Sequence, residues 1–164
     1  MSDTLDLAKR ALKHFNEGST DQAPSQMPIP LTAYTDEERF LAERKAVFFH
    51  SPIAVALSLE LPKSGDFQTQ TIMGVPLLLT RDREAQVHCF INVCRHRGAR
   101  VCLEDKGRQT RFSCPYHAWT YSNQGRLVGV YGEESFGGVD RATMGLTELT
   151  CEERAGVIFV CLTP

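Results

Sequence analysis

The chain has 164 residues, 42% of them apolar and 23% charged, with a formal net charge of −2. That is the balance of one ordinary globular domain with a small appendage, with enough apolar material for a real core. A mildly acidic chain argues against nucleic acid or an anionic membrane as partner. The opening MSDTLDLAKR lacks the basic-then-apolar order of a signal peptide, and the longest apolar runs, Ile53–Leu57 and 157–162, are too short to span a bilayer. A soluble cytoplasmic protein is expected. There, six cysteines (89, 94, 102, 114, 151 and 161) read as metal ligands or buried thiols rather than disulfides.

In residues 3–16, Leu5, Ala8, Leu12 and Phe15 recur at helical spacing, and Gly18 is a plausible stop. Residues 18–32, with Pro24, Pro28 and Pro30, read as a linker. A second helix is predicted at about 35–46, with Thr35 and Glu38 as a capping box. Ser51-Pro52 suggests a short turn or helix. From Leu59 onward, β-type runs follow one another: 67–73, 76–80, 86–93, 110–113, 118–121, 126–130 and 157–162. Val87, Cys89, Ile91 and Val93 alternate with polar neighbours, although Phe90 blurs the pattern. Ser122-Asn-Gln-Gly125 signals a hairpin. The fold class is mainly β, with antiparallel strands behind a helical arm. The arm and linker take residues 1–45 and the β domain residues 46–164.

Two segments carry chemistry: Cys94-Arg-His96-Arg-Gly98 and Cys114-Pro-Tyr-His117. Each offers one thiolate and one imidazole, and seventeen residues separate His96 from Cys114. Two such loops could clamp one metal unit. Simple packing is the bland alternative, but it does not account for two Cys-His pairs in register. Structural zinc is the stronger rival, since two Cys and two His suit a tetrahedral ion. Zinc fingers, however, group like with like. One of each per loop suits a two-iron unit, with both cysteines on one iron and both histidines on the other.

The pattern C-x-H-x17-C-x2-H, embedded in NVCRHRGARVC and FSCPYHAWTY, resembles the Rieske 2Fe–2S domain of aromatic-ring-hydroxylating (Rieske non-haem iron) oxygenase alpha subunits. The likeness extends over about residues 35–164, including the helical lead-in and the closing AGVIFVCLTP. It implies an antiparallel β-sandwich or barrel with two cluster-binding loops. It also implies a Rieske 2Fe–2S cofactor bound by Cys94, His96, Cys114 and His117, with Arg97, Tyr116 and Trp119 around them. Such a site moves single electrons. Two ferric ions, two sulfides, two thiolates and two neutral imidazoles sum to zero charge, so adding an electron is easier than with four cysteines. Respiratory Rieske proteins carry an extra cysteine in each loop. Here those positions are Ala99 and Tyr116, so the resemblance points to the low-potential, disulfide-free end of the range.

Between Cys94 and Arg126, seven Lys/Arg face two acids, a local surplus of +5 that leaves −7 for the rest. This reads either as a face that steers an acidic redox partner or as scattered solvated arginines. His14, His50 and His88 read as structural. The resemblance implies a ferredoxin or reductase as electron donor. It also implies a neighbouring alpha subunit's catalytic domain as acceptor, reached through His117, and a homotrimeric parent enzyme. The mononuclear-iron domain that follows in that family is expected to be absent from these 164 residues. A free-standing Rieske ferredoxin and a zinc module are the alternative readings.

Overall fold

The computed structural model describes residues 2–164. The chain forms two compact units, one up to Asp36 and one from Glu37 to Pro164. In the first, α1 (Ser2–Glu17) is followed by extended chain and a single helical turn, α2 (Thr32–Thr35). The stripe predicted on α1 forms, but Leu5, Leu12 and Phe15 stay exposed. Gly18, in the left-handed region at φ 58°, ends the helix. His14 then bridges Ser19 and Asp21.

The second predicted helix is shorter and broken. Thr35 lies inside α2, where its hydroxyl donates to the Leu31 carbonyl, so it does not take the capping position. Helix α3 runs only from Glu37 to Glu43 and loosens into a π-helical turn, Arg44–Phe48. Arg44 reaches across to donate to the Met73 carbonyl at 2.9 Å, which pins this turn to a strand connection.

Eleven strands make three antiparallel sheets among the described residues. The central sheet has the order β5-β2-β3-β4-β9, with β2 Asp66–Ile72, β3 Val75–Arg81, β4 Val87–Ile91, β5 Lys106–Arg108 and β9 Glu148–Leu149. A second sheet orders β1 (Ile53–Leu57), β11 (Val157–Val160) and β10 (Cys151–Arg154). The third orders β6 (Arg111–Ser113), β7 (Thr120–Ser122) and β8 (Leu127–Gly129).

The central sheet is buried on both faces. Leu77, Leu79 and Cys89 join Ile158 and Val160 in one core. Leu78 and Phe90 point the other way, into a core with Phe112, Trp119 and Tyr121. A strand covered on both sides needs a continuous apolar run, which is why Leu77-Leu78-Leu79 does not alternate. The same geometry explains Phe90. It belongs to the second core. The layers make a sandwich, and β5 and β9 remain free edges, so the sheets do not close into a barrel.

Strands β1, β5, β9 and β10 escape the sequence reading. β1 follows Pro52 directly, a position proline tolerates at a strand start. β5 is wholly exposed and carries no apolar signal. Its Gly107 is required because a Cβ there would lie 2.8 Å from the Phe67 ring.

The third sheet is tied to the central one at its β7–β8 hairpin. Thr80 donates to the Asn123 carbonyl at 2.6 Å, and Gln124 donates to Asp82 at 2.9 Å. Burial alone would raise the Asp82 carboxyl, but bonds from Gln124, His88 and the Gln86 backbone outweigh it and hold it at about 2. Gly125 turns the hairpin at φ 74°, and a Cβ there would sit 2.4 Å from the Phe90 ring. These ties place the loop before β7 beside the loop after β4.

Candidate metal centre

Both motif loops adopt one backbone design. In the first, the Cys94 N–H donates to the Ala99 carbonyl at 2.8 Å, and the Gly98 N–H donates back to Cys94 at 3.0 Å. In the second, the Cys114 N–H donates to Trp119 at 2.8 Å, and Ala118 donates back to Cys114 at 2.9 Å. The fourth residue after each cysteine, Gly98 or Ala118, is left-handed, at φ 76° and 54°. That residue turns the chain so that the loop closes back on its cysteine. Ala118 accepts this conformation at some cost, since its Cβ crowds the backbone there.

Asn92, at the end of β4, holds the far side of the first loop. Its Oδ1 accepts from the Val101 and Cys102 N–H groups at 3.1 and 3.0 Å, and its Nδ2 donates to the Cys102 carbonyl at 2.8 Å. The side chain is buried and acts as a short piece of strand. Tyr121, on β7, joins the loops from below. Its hydroxyl accepts from the Arg95 N–H at 3.1 Å, which leaves the phenol proton free to point at Cys94 Sγ, 3.3 Å away. Neither residue stood out in the sequence, where Asn92 read as a polar strand position and Tyr121 as the end of a β-type run.

The structure sets the two motif cysteines beside each other and the two motif histidines beside each other. Cys94 and Cys114 are buried neighbours, and both remain free thiols. Burial pushes the Cys94 thiol up, Tyr121 and the His96 backbone oppose it, and the adjacent Cys114 reinforces it. Two thiolates can share this pocket only with positive charge between them. The His96 and His117 rings lie 4.7 Å apart. Desolvation first, then His117 and Arg97, lower the His96 pKa and favour the neutral, ligating imidazole. Among the described residues no three such side chains converge as a single ion needs.

Aromatic rings wall the imidazoles. Trp119 stacks on His96, 5.1 Å between centroids and 8° from parallel, and Phe136 meets both edge-on. Tyr116 lies against His117 with centroids 3.8 Å apart and keeps 58% of its surface exposed. Arg97 is exposed and acts on His96 only through its charge. Two buried polar atoms here lack a partner among the described residues, His117 Nδ1 and Trp119 Nε1. A buried imidazole nitrogen without a hydrogen bond is costly unless something else occupies its lone pair. A metal ion does so. The donor set and this orphaned nitrogen therefore fit an iron–sulfur group.

Residues 51–139 match the family model described as the Rieske [2Fe-2S] domain. The chain belongs to the Rieske [2Fe-2S] domain family. Its cofactor is accordingly a Rieske-type 2Fe–2S cluster. The glycine betaine monooxygenase oxygenase subunit of Pseudomonas aeruginosa is 37% identical to this Rieske chain over 134 residues, which cover 82% of this chain and 31% of that protein. Naphthalene 1,2-dioxygenase from a Rhodococcus species, solved with indole bound, superposes with a TM-score of 0.76 at 34% identity. The match covers 82% of this chain and 31% of that one. A quaternary ammonium Rieske monooxygenase, described for carnitine oxidation by gut microbiota and inter-subunit electron transfer, gives 0.74 at 29% identity. There the match covers 85% of this chain and 42% of that one. This Rieske chain thus spans about a third of the curated relative it matches.

Proposed function

We propose that Cys94 and Cys114 hold one iron and His96 and His117 the other, and that the chain is the electron-carrying part of a Rieske oxygenase alpha subunit. The orphaned, buried His117 Nδ1 beside a pair of free, buried thiols carries this reading. When bound, a 2Fe–2S cluster supplies a one-electron store. The chain's own residues set its surroundings. Trp119 and Phe136 pack on His96, Tyr116 lies against His117, and Asn92 fixes the first loop. Because Ala99 and Tyr116 stand where a disulfide would need cysteines, the potential belongs at the low end of the Rieske range.

In this reading residues 46–164 form the redox domain and 1–45 its arm. A reductase or ferredoxin is the donor. The catalytic domain of a neighbouring alpha subunit is the acceptor, with His117 facing it, in a trimeric parent enzyme. Inter-subunit electron transfer in the quaternary ammonium monooxygenase supports that direction. Six unbridged cysteines suit the reducing cytoplasm. Among the described residues no helix is long and apolar enough to cross a membrane. The relatives act on quaternary ammonium and aromatic compounds alike, so substrate choice rests with the catalytic portion.

Metal and acid-labile sulfide analysis of the purified chain, which should be reddish-brown, tests the assignment. About two irons and two sulfides per chain are expected, by the composition of the cluster. One zinc per chain and no sulfide would overturn it.

Tyr121→Phe removes the hydroxyl that reaches Cys94 Sγ. A hydrogen bond to a cluster sulfur stabilises the more negative, reduced state. At ~1.5 kcal/mol for the bond, and about 59 mV per tenfold for one electron, the potential falls by about 60 mV. A spectroelectrochemical titration showing no shift would remove Tyr121 from the site.

A further inference from the structure

We propose that residues 132–138 form a hinged cap over the imidazole side of the site, with Phe136 as its plug and a Glu133–Arg141 ion pair as its latch. The cap follows from geometry alone, whereas its guarding of iron rests on the ligand reading above. A single helical turn, Glu133–Phe136, sits between left-handed glycines, Gly132 at φ 65° before it and Gly137 and Gly138 at 70° and 102° after it. A Cβ built on any of the three meets nothing within 4 Å. Glycine stands there for its backbone freedom and not for close packing. Val130 and Val139 pack against the core around Trp119 and root the two ends. Among the described residues the turn's backbone bonds are local, the Ser135 N–H donating to the Gly132 carbonyl at 2.9 Å.

Two side-chain contacts hold the turn instead. Phe136 meets His96 edge-on, 5.2 Å between centroids and 81° from parallel, and meets Trp119 at 5.9 Å and 73°. Trp119 keeps only 2% of its surface. The latch ties the turn to the returning chain. Arg141 donates through Nε to Glu133 Oε1 at 3.3 Å and through Nη2 to Oε2, and its Nη1 reaches the Val128 carbonyl at 3.4 Å. The Arg141 and Glu133 side chains are 44% and 36% exposed. An ion pair this exposed is weak and screened by salt. The cap therefore opens on its glycine pivots, and ionic strength sets how often. Opened, it lifts a ring from the edge of His96 and uncovers Trp119.

Trp119 is the chain's single tryptophan, so its emission reports on the cap directly. Acrylamide, a neutral quencher, is titrated into the purified chain over a series of salt concentrations, for wild type, Glu133→Gln and Phe136→Ala. In the wild type, quenching should grow with salt. Glu133→Gln should be quenched about two- to fivefold more readily at low salt, the range that loss of one exposed ion pair allows, with little further salt effect. Phe136→Ala should be quenched readily at every salt. Exchanging the pair, as Glu133→Arg/Arg141→Glu, should restore the wild-type behaviour, which a merely space-filling role would not. On the iron-loaded chain, bleaching of the visible colour by EDTA should accelerate in the same variants. Salt-independent quenching of the wild type defeats the cap and needs no variant to fold. Faster quenching with unchanged bleaching defeats its guarding role. A chain without iron–sulfur colour refutes the ligand reading by itself, and the quenching series then still decides the cap.

Discussion

His117→Ala leaves the purified chain without its cluster, whereas His117→Cys retains one at a much lower potential. The imidazole is buried on its Nδ1 side, roofed by Tyr116 and edged by His96. Alanine removes the donor and opens a polar gap that water can enter. Cysteine restores a ligand but adds one negative charge to both redox states. Because the reduced state is already the more negative, it is penalised more. Rieske centres run from roughly −150 mV upward and four-cysteine plant-type centres near −400 mV, so a drop on the order of 100–200 mV is expected. Iron and sulfide analysis reads the first variant, and a redox titration reads the second. A Cys variant with an unchanged potential would exclude His117 as a ligand.

Asn92→Ala should cost about 3–5 kcal/mol of stability, with metal loading reduced in parallel. Truncation strands three buried backbone groups, the N–H of Val101 and of Cys102 and the Cys102 carbonyl. Each buried unsatisfied group costs about 1–3 kcal/mol, and neighbouring losses do not add fully. Asn92→Asp is no remedy, because it keeps the acceptor, loses the donor and buries a charge. Denaturant unfolding of the loaded chain measures the cost. A loss under about 1 kcal/mol would mean that loop closure does not depend on this clamp.

The cluster motifs were legible in the sequence because their chemistry is concentrated in two short runs, 94–98 and 114–117, and short spacing survives folding unchanged. The strands at Val75–Arg81 and Val87–Ile91 were legible because their cores demand apolar runs. The exposed edge strand β5 and the charged β9–β10 segment were not, since backbone pairing without burial leaves no side-chain pattern. The break near residue 36 escaped for a local reason, because Thr35 spends its hydroxyl on the preceding turn. Asn92 and Tyr121 escaped because their roles exist only once the first loop folds back onto Asn92 and the third sheet brings Tyr121 beneath it. Of the sandwich and barrel forms the resemblance implied, the chain takes the sandwich, because the three sheets stack instead of curling.

The matched loop design has a mechanical consequence. One cradle is rooted in the central sheet and the other in the third, each presenting half of a binding set in the same pose. A group bound by both acts as a rivet through two layers. Its binding free energy is then also docking energy for the β6–β8 sheet, so loss of the metal is felt first as loosening between sheets.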